Sequence, residues 1–428
     1  LLPIVVMLTL SRILYIVLFH LISPILLIVR FIESNRTPEL KGRWKECFGF
    51  YKTAKRKNTT WIHAVSVGEV EAVSPLVEKL LQLNPNIPIL ITTSTKTGSA
   101  RVRFLFKERV NHVFLPYDLP IIVNRFFAHF RPKLAIIMET EIWPVLFSNC
   151  TKNETSLFII NARLSDKSVR NYLKIKPFIQ HTLSHVTQLL AQTTEDSSRY
   201  QLLGLAPEKI KVTGNIKLDM IIPSKLKADG INLKQSLFKN RLVWVIGSTH
   251  LEEDEIFIFL YQQLKQKFPA LLLVLAPRHP ERFIPVKALC KKAQLHLVCR
   301  SQNLPCTPET DIFLLDSIGE LKLMYAASDC SFVAGSLVPI GGHNILEPAL
   351  LNTPVLFGPY MANSRQLVKQ MLAAKACIQC QSEADVLENF TQLMRDQHKR
   401  IQIIHNAQHF ITSNRGAIDK TLQSITER

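Results

Sequence analysis

Glycine is scarce, with 14 among 428 residues, and no tract is low in complexity. Long disordered regions are excluded on both grounds. Eight cysteines stand scattered at positions 47, 150, 290, 299, 306, 330, 377 and 380. The one CxxC, Cys377 with Cys380, has neither a second pair nor a nearby histidine to complete a zinc set. These read as structural thiols of a reducing compartment. Zinc-finger spacing, an RNA-binding aromatic signature and an isolated basic tail are all missing, although Lys and Arg outnumber Asp and Glu by 52 to 34. A net charge of +18 spread along the chain favours a membrane surface or a phosphorylated substrate over sequence-read nucleic acid.

What the chain has in quantity is apolar residues, 47 % of the total, enough for two cores in a chain too long for one. The residues from 13 to 29 are apolar except for Tyr15, His20 and Ser23, close to the roughly 20 needed to cross a bilayer. Arg30, Arg36, Lys41, Arg43, Lys45, Lys52, Lys55, Arg56 and Lys57 follow, against Glu33, Glu39 and Glu46. The apolar run then predicts a membrane anchor over 1–32, and the positive-inside rule places the body in the cytoplasm. A cleaved signal peptide fits less well, because early basic residues and a small-residue cleavage site are missing. Pro24 and Arg12 are also compatible with a helix lying in the interface.

Beyond the anchor, short β-branched runs alternate with amphipathic stretches. Strands are expected at 61–65, 87–93, 112–116, 134–138, 157–160, 189–193 and 210–213, with helices at 70–83, 99–107, 121–130, 169–183 and 196–203. A polar break at 223–240 reads as a linker. The pattern restarts with strands at 242–246, 271–275, 295–298, 312–315, 331–334 and 354–357. Alternating strands and helices with fully apolar strands predict parallel sheets covered on both faces. The expected fold class is therefore α/β: two Rossmann-like doubly wound domains, 33–222 and 241–400, facing a cleft, and a C-terminal helix over 401–428. Ligands of such sheets sit beyond the strand carboxyl ends.

The loops there carry the candidate chemistry. Glu69 follows the first strand at a helix start, where it forms either a capping box with Ser66 or a general base kept ionised by the helix dipole. Met138-Glu139-Thr140-Glu141 sends two carboxylates out of a buried strand, and Gly214-Asn215-Ile216-Lys217 places a cation at another strand end. In the second half, Thr249 and Glu252 read as a further capping box, and Arg278 suits phosphate oxygens. The glycine-rich run ending in Gly341-Gly342-His343-Asn344 lets backbone amides approach an anion at a helix start. Glu347 has the reach to accept from ribose hydroxyls. His63, His250, His279 and His343 fall near these loops without metal-ligand spacing, and no Asp-x-Asp occurs, which argues against a divalent metal.

Taken in order, nine segments carry a resemblance: HAVSVGEV at 63–70, TTSTKTGSA at 92–100, METEIWP at 138–144, NARLSDKS at 161–168, GNIKLD at 214–219, GSTHLEEDE at 247–255, PRHPER at 277–282, DSIGEL at 316–321 and GGHNILEPA at 341–349. The set resembles the bacterial transferases of Kdo (3-deoxy-D-manno-oct-2-ulosonic acid) in lipopolysaccharide synthesis. That resemblance implies a GT-B fold, CMP-Kdo as donor, a lipid A precursor as acceptor, and an inverting transfer needing neither metal nor cofactor. It implies Glu69 as the catalytic base, with Glu139 and Lys217 stabilising the transition state. Pro277, Arg278, Ile318, Gly319, Glu320, Asn344, Ile345, Leu346 and Glu347 match the CMP-binding positions. Other readings are a UDP-sugar transferase of the same fold acting on another lipid-linked acceptor, or a membrane-tethered anion-binding protein.

Overall fold

The computed structural model describes residues 2–36 and 42–427, so Lys41 and Glu39 of the basic flank lie outside the described residues. Two compact units divide the chain, one formed by 1–220 with 415–428 and the other by 221–414.

The first unit is built on seven strands: β1 (Thr59–His63), β2 (Ile89–Thr93), β3 (Asn111–Phe114), β4 (Pro132–Met138), β5 (Ser156–Ala162), β6 (Gln188–Ala191) and β7 (Ile210–Val212). They pair in the order β3-β2-β1-β4-β5-β6-β7, parallel throughout. Successive strand side chains point to opposite faces, and here both faces are covered. Trp61, Ile137 and Ile159 pack into one core, and their neighbours Ile62, Ile136 and Phe158 into another. Strand order reverses between β1 and β4, which leaves a crevice outside their carboxyl ends.

The second unit repeats the plan with β8 (Leu242–Thr249), β9 (Leu271–Pro277), β10 (Leu297–Cys299), β11 (Ile312–Leu314), β12 (Cys330–Val333), β13 (Val355–Phe357) and β14 (Ile378–Gln379). Their order is β10-β11-β9-β8-β12-β13-β14, again parallel, with the reversal between β8 and β12. Trp244 and Ile246 enter one core, Val243 and Val245 the other.

Three expectations need correction. The segment 223–240 is no linker, since Ser224–Ser236 is a helix. Leu226 and Leu233 pack it into the second unit's core, and Gly230 lies so close to Ala326 that a Cβ there would collide. Its polar outer face hid this in the sequence. The stretch 401–428 is not one helix: Gln397–Ser413 ends in the second unit, and Ala417–Thr426 returns to the first. Asp219 accepts the Gly416 and Ile418 N–H groups at 2.7 and 2.6 Å, and Ile418 and Ile425 complete the core beside Ile62. The helix expected at 169–183 is two, Asp166–Leu173 and Lys176–Ser184, because Pro177 restarts the chain as a first-turn residue.

At the N-terminus, Leu2–Arg36 forms one helix containing Pro24. Within it Ile13–Ile32, of mean hydropathy 2.3, is long and apolar enough to cross a membrane.

Candidate active site

Glu69 lies in the first turn of the helix Val67–Leu83, which leaves the carboxyl end of β1. The expected capping box does not form, because the Ser66 side chain accepts no backbone N–H. The Glu69 carboxylate instead accepts the Val65 N–H on Oε2 at 2.8 Å. That bond, with the Ser66 hydroxyl donating to Oε1 at 3.5 Å, fixes the side chain beside the strand end. Burial pushes the Glu69 carboxyl up to about 7, the nearby Glu139 charge adds to the rise, and the Val65 bond only partly offsets it. The helix dipole therefore does not keep this group fully ionised at neutral pH.

Glu139 follows β4, the neighbour of β1 across the order reversal, and is 5 % exposed. Its backbone is left-handed, with φ 58°, a conformation costly for a residue with a Cβ. The Glu139 N–H still donates to Ile160 O at 3.0 Å, so sheet pairing continues into the turn while the side chain swings out of the strand. Lys217 donates to Oε1 at 2.8 Å and Arg163 to Oε2 at 2.7 Å. Burial opposes the charged form of Glu139, but these two cations outweigh it and hold its carboxyl below the usual range. Lys217 is placed by the turn Ile216–Asp219, where Asn215 Oδ1 accepts the Lys217 N–H and Asn161 Oδ1 accepts that of Ile216.

Glu141 accepts the Trp143 indole N–H at 2.9 Å and lies 3.7 Å from His63 Nε2. Burial works against its charge too, but His63 and Trp143 keep the carboxyl low. Structure thus assembles Glu69, Glu139 and Lys217 at one strand-end crevice and adds one group to which the sequence reading gave no role, Arg163. Arg163 directly follows β5, the strand paired in parallel with β4, and lies two residues beyond the register partner of Glu139, within reach of its long side chain. That register was the available signal.

In the second unit the predicted loops share the carboxyl edge of one sheet. Thr249 ends β8, and Glu252 is not its capping partner. The residue that organises the loops is Glu253, wholly buried, which accepts N–H groups from His250, Gly335, Ser336 and Leu337 at 2.7–3.1 Å. One carboxylate so ties the loop after β8 to the loop after β12. At the same point His250 and His343 meet Nε2 to Nε2 at 2.8 Å with rings 5° from parallel, so one nitrogen donates and the other accepts. Burial, reinforced for His343 by His250 and Arg278, lowers its imidazole to about 4.

Pro277 ends β9, and the exposed Arg278 donates its backbone N–H to Thr249 O at 3.0 Å. Ile318 is 78 % exposed, and Gly319 takes φ 92°, a turn that suits glycine. Glu320 is gripped by the Arg300 guanidinium at 2.9–3.2 Å and by Ser317. Asn344 Oδ1 accepts the Leu346 N–H at 3.1 Å. Ile345 and Leu346 are wholly buried, so they offer a ligand backbone only. Glu347 lies 3.4 Å from Asn344 Nδ2 and 3.9 Å from Lys322 Nζ. The helix beyond, Leu346–Leu350, has five residues, too short for the dipole expected there to be large.

Residues 42–220 match the family described as 3-deoxy-D-manno-octulosonic-acid transferase (kdotransferase). The solved UDP-GlcNAc 2-epimerase of Neisseria meningitidis, bound to UDP-GlcNAc, shares the fold at 15 % identity and a TM-score of 0.57, over 86 % of this chain and 100 % of that one. A Rickettsia felis protein named 3-deoxy-D-manno-octulosonic acid transferase is 33 % identical over 87 % of this chain and 79 % of its own. The Haemophilus influenzae protein of the same name is 38 % identical over 97 % of this chain and 98 % of its own. On that end-to-end likeness, this chain belongs to the 3-deoxy-D-manno-octulosonic acid transferases.

Proposed function

We propose that the chain moves Kdo from CMP-Kdo onto a lipid A precursor in lipopolysaccharide core synthesis, by inversion and without a metal, on a fold of GT-B type. One observation carries the chemistry: a carboxyl poised at about 7, Glu69, beside a carboxylate kept ionised by two cations, Glu139. Two carboxyl groups whose surroundings drive their pKa values apart are the usual mark of divided acid–base roles.

In this reading Glu69 takes the proton from the acceptor hydroxyl as its oxygen bonds to the anomeric carbon of Kdo. The bond from that carbon to the phosphate oxygen breaks, and CMP leaves with the electron pair. A base near pH 7 is matched to that task. Lys217, held on Glu139, supplies positive charge near the reacting groups, with Arg163 fixing the far side of the same carboxylate. The leaving group carries one phosphate, for which the exposed Arg278 is the natural partner, and Glu347 suits the ribose hydroxyls. The N-terminal helix serves as membrane anchor, with the body on the cytoplasmic side of the inner membrane, where its positive charge suits a bisphosphorylated acceptor and an anionic leaflet.

Mass analysis of the lipid formed by purified protein, CMP-Kdo and lipid A precursor tests the reading. A product heavier by Kdo, formed equally well with chelator present, supports it. Transfer from a UDP-sugar instead, or loss of transfer on chelation, refutes the donor or the metal-free step.

A further inference from the structure

The N-terminal helix does not stand clear of the first unit. Tyr15 donates its hydroxyl to Asp118 Oδ2 at 2.9 Å, and its ring packs 5.8 Å from Phe178. Phe19 meets Tyr117, Arg30 donates to Ser94 O at 3.1 Å, and Phe31 packs edge-on to Trp44. Contacts from Tyr15 to Phe31 extend about 24 Å at 1.5 Å per residue, most of the roughly 30 Å of a bilayer's hydrocarbon core. Asp118 is an internal fixture: it is wholly buried and also accepts the Val145 and Leu146 N–H groups at the start of the helix Pro144–Lys152.

The opposite face is bare. Leu14, Leu18, Leu21, Ile25 and Ile28 are 55–70 % exposed and follow one another at helical spacing. Beside this helix, the junction of Asp166–Leu173 with Lys176–Ser184 shows Leu173 and Ile175 41 and 49 % exposed, alternating with exposed Lys174 and Lys176. Phe178, which touches Tyr15, belongs to that second helix. Apolar side chains interleaved with lysines suit the headgroup boundary, where the rings and chains enter lipid and the ammonium groups meet anionic phosphates.

We infer that the N-terminal helix lies in the plane of the membrane, its outer face sunk in the headgroup boundary of an anionic leaflet, with the Leu173–Lys176 corner as a second contact. A spanning helix would have to break the Tyr15–Asp118 and Arg30–Ser94 contacts, or draw Lys176 and its helix into hydrocarbon, where charge is costly. This inference rests on the anchor reading above and sharpens it: the protein is a peripheral body bolted flat to one leaflet, not one hung from a crossing helix.

All eight native cysteines are buried, so single reporter cysteines are feasible. Leu14→Cys, Leu21→Cys and Ile28→Cys, each carrying an environment-sensitive dye, are bound to phosphatidylglycerol-containing vesicles whose lipids are brominated at set depths. All three dyes quenched best by shallow bromines is the expected result. Leu21 quenched from the bilayer centre with the other two shallow would overturn the in-plane geometry but leave anchoring intact. No co-sedimentation with vesicles, or an apolar face closed by a second copy in centrifugation, would overturn both. Lys174→Gln with Lys176→Gln should weaken partitioning onto anionic vesicles by about thirtyfold and leave neutral vesicles unaffected. Unchanged partitioning would remove the corner from the contact.

Discussion

Glu139 lifts the carboxyl of Glu69: after burial, its charge is the largest cause of that carboxyl's rise to about 7. Glu139 itself stays ionised only because Lys217 and Arg163 hold both its oxygens. The two cations therefore set the poise of a residue to which neither donates.

Replacing Glu69 by glutamine keeps an oxygen for the Val65 N–H but removes the proton acceptor. Turnover should fall about 10²–10⁴-fold, the usual share of a general base, with CMP affinity unchanged by calorimetry. Turnover within a fewfold of the parent would shift the base role to Glu139 or Glu141.

The pH–rate profile of kcat/KM should rise through about pH 7, because only ionised Glu69 accepts a proton. Glu139→Gln removes a charge that raises Glu69, so the acid limb should move to lower pH, whatever happens to the maximal rate. An acid limb that stays in place would show that the limb belongs to another group.

Stability should respond to Glu69 in a specific direction. Its folded pKa lies above that of an unfolded glutamate, so the folded state binds more protons between about 4.5 and 7. Stability contributed below that window is lost as pH rises through it. Glu69→Gln should thus become increasingly more stable than the parent from pH 5 to pH 8, by up to roughly 3 kcal/mol in unfolding free energy. A constant difference across that range would contradict the poised carboxyl.

Arg278→Ala should weaken CMP binding about ten- to a hundredfold, the worth of one charge-assisted hydrogen bond. Arg278 is exposed, so melting temperature should hardly change. Unaltered CMP affinity would place the phosphate elsewhere on the sheet edge.

Much of this architecture was legible because parallel strands covered on both faces are uninterrupted apolar runs, as in Leu271–Pro277 or the stretch 134–138. The two-residue strand Ile378–Gln379 has no such run and was missed. Glu69, Glu139 and Lys217 were found from their places after strands, but their electrostatic division was not, since it depends on burial and on Arg163. Glu252 was preferred to Glu253 because capping spacing is read from the nominal helix start. Glu252 in fact takes φ 76°, which turns the chain and sends the next carboxylate inward. Left-handed residues such as Glu139 and Glu252 leave no mark in a sequence unless they are glycine.

The return of Ala417–Thr426 to the first unit has a bearing on how the protein is made. A ribosome delivers β1 to β7 early, yet Ile418 and Ile425 that cover one face of that sheet emerge only after the whole second unit. At typical elongation rates the first sheet waits roughly ten to forty seconds with that face incomplete. An apolar surface open for that long, on a nascent chain already carrying a long apolar helix, is a target for chaperones and for premature association. The Asp219 carboxylate, receiving Gly416 and Ile418, is the latch that ends the wait.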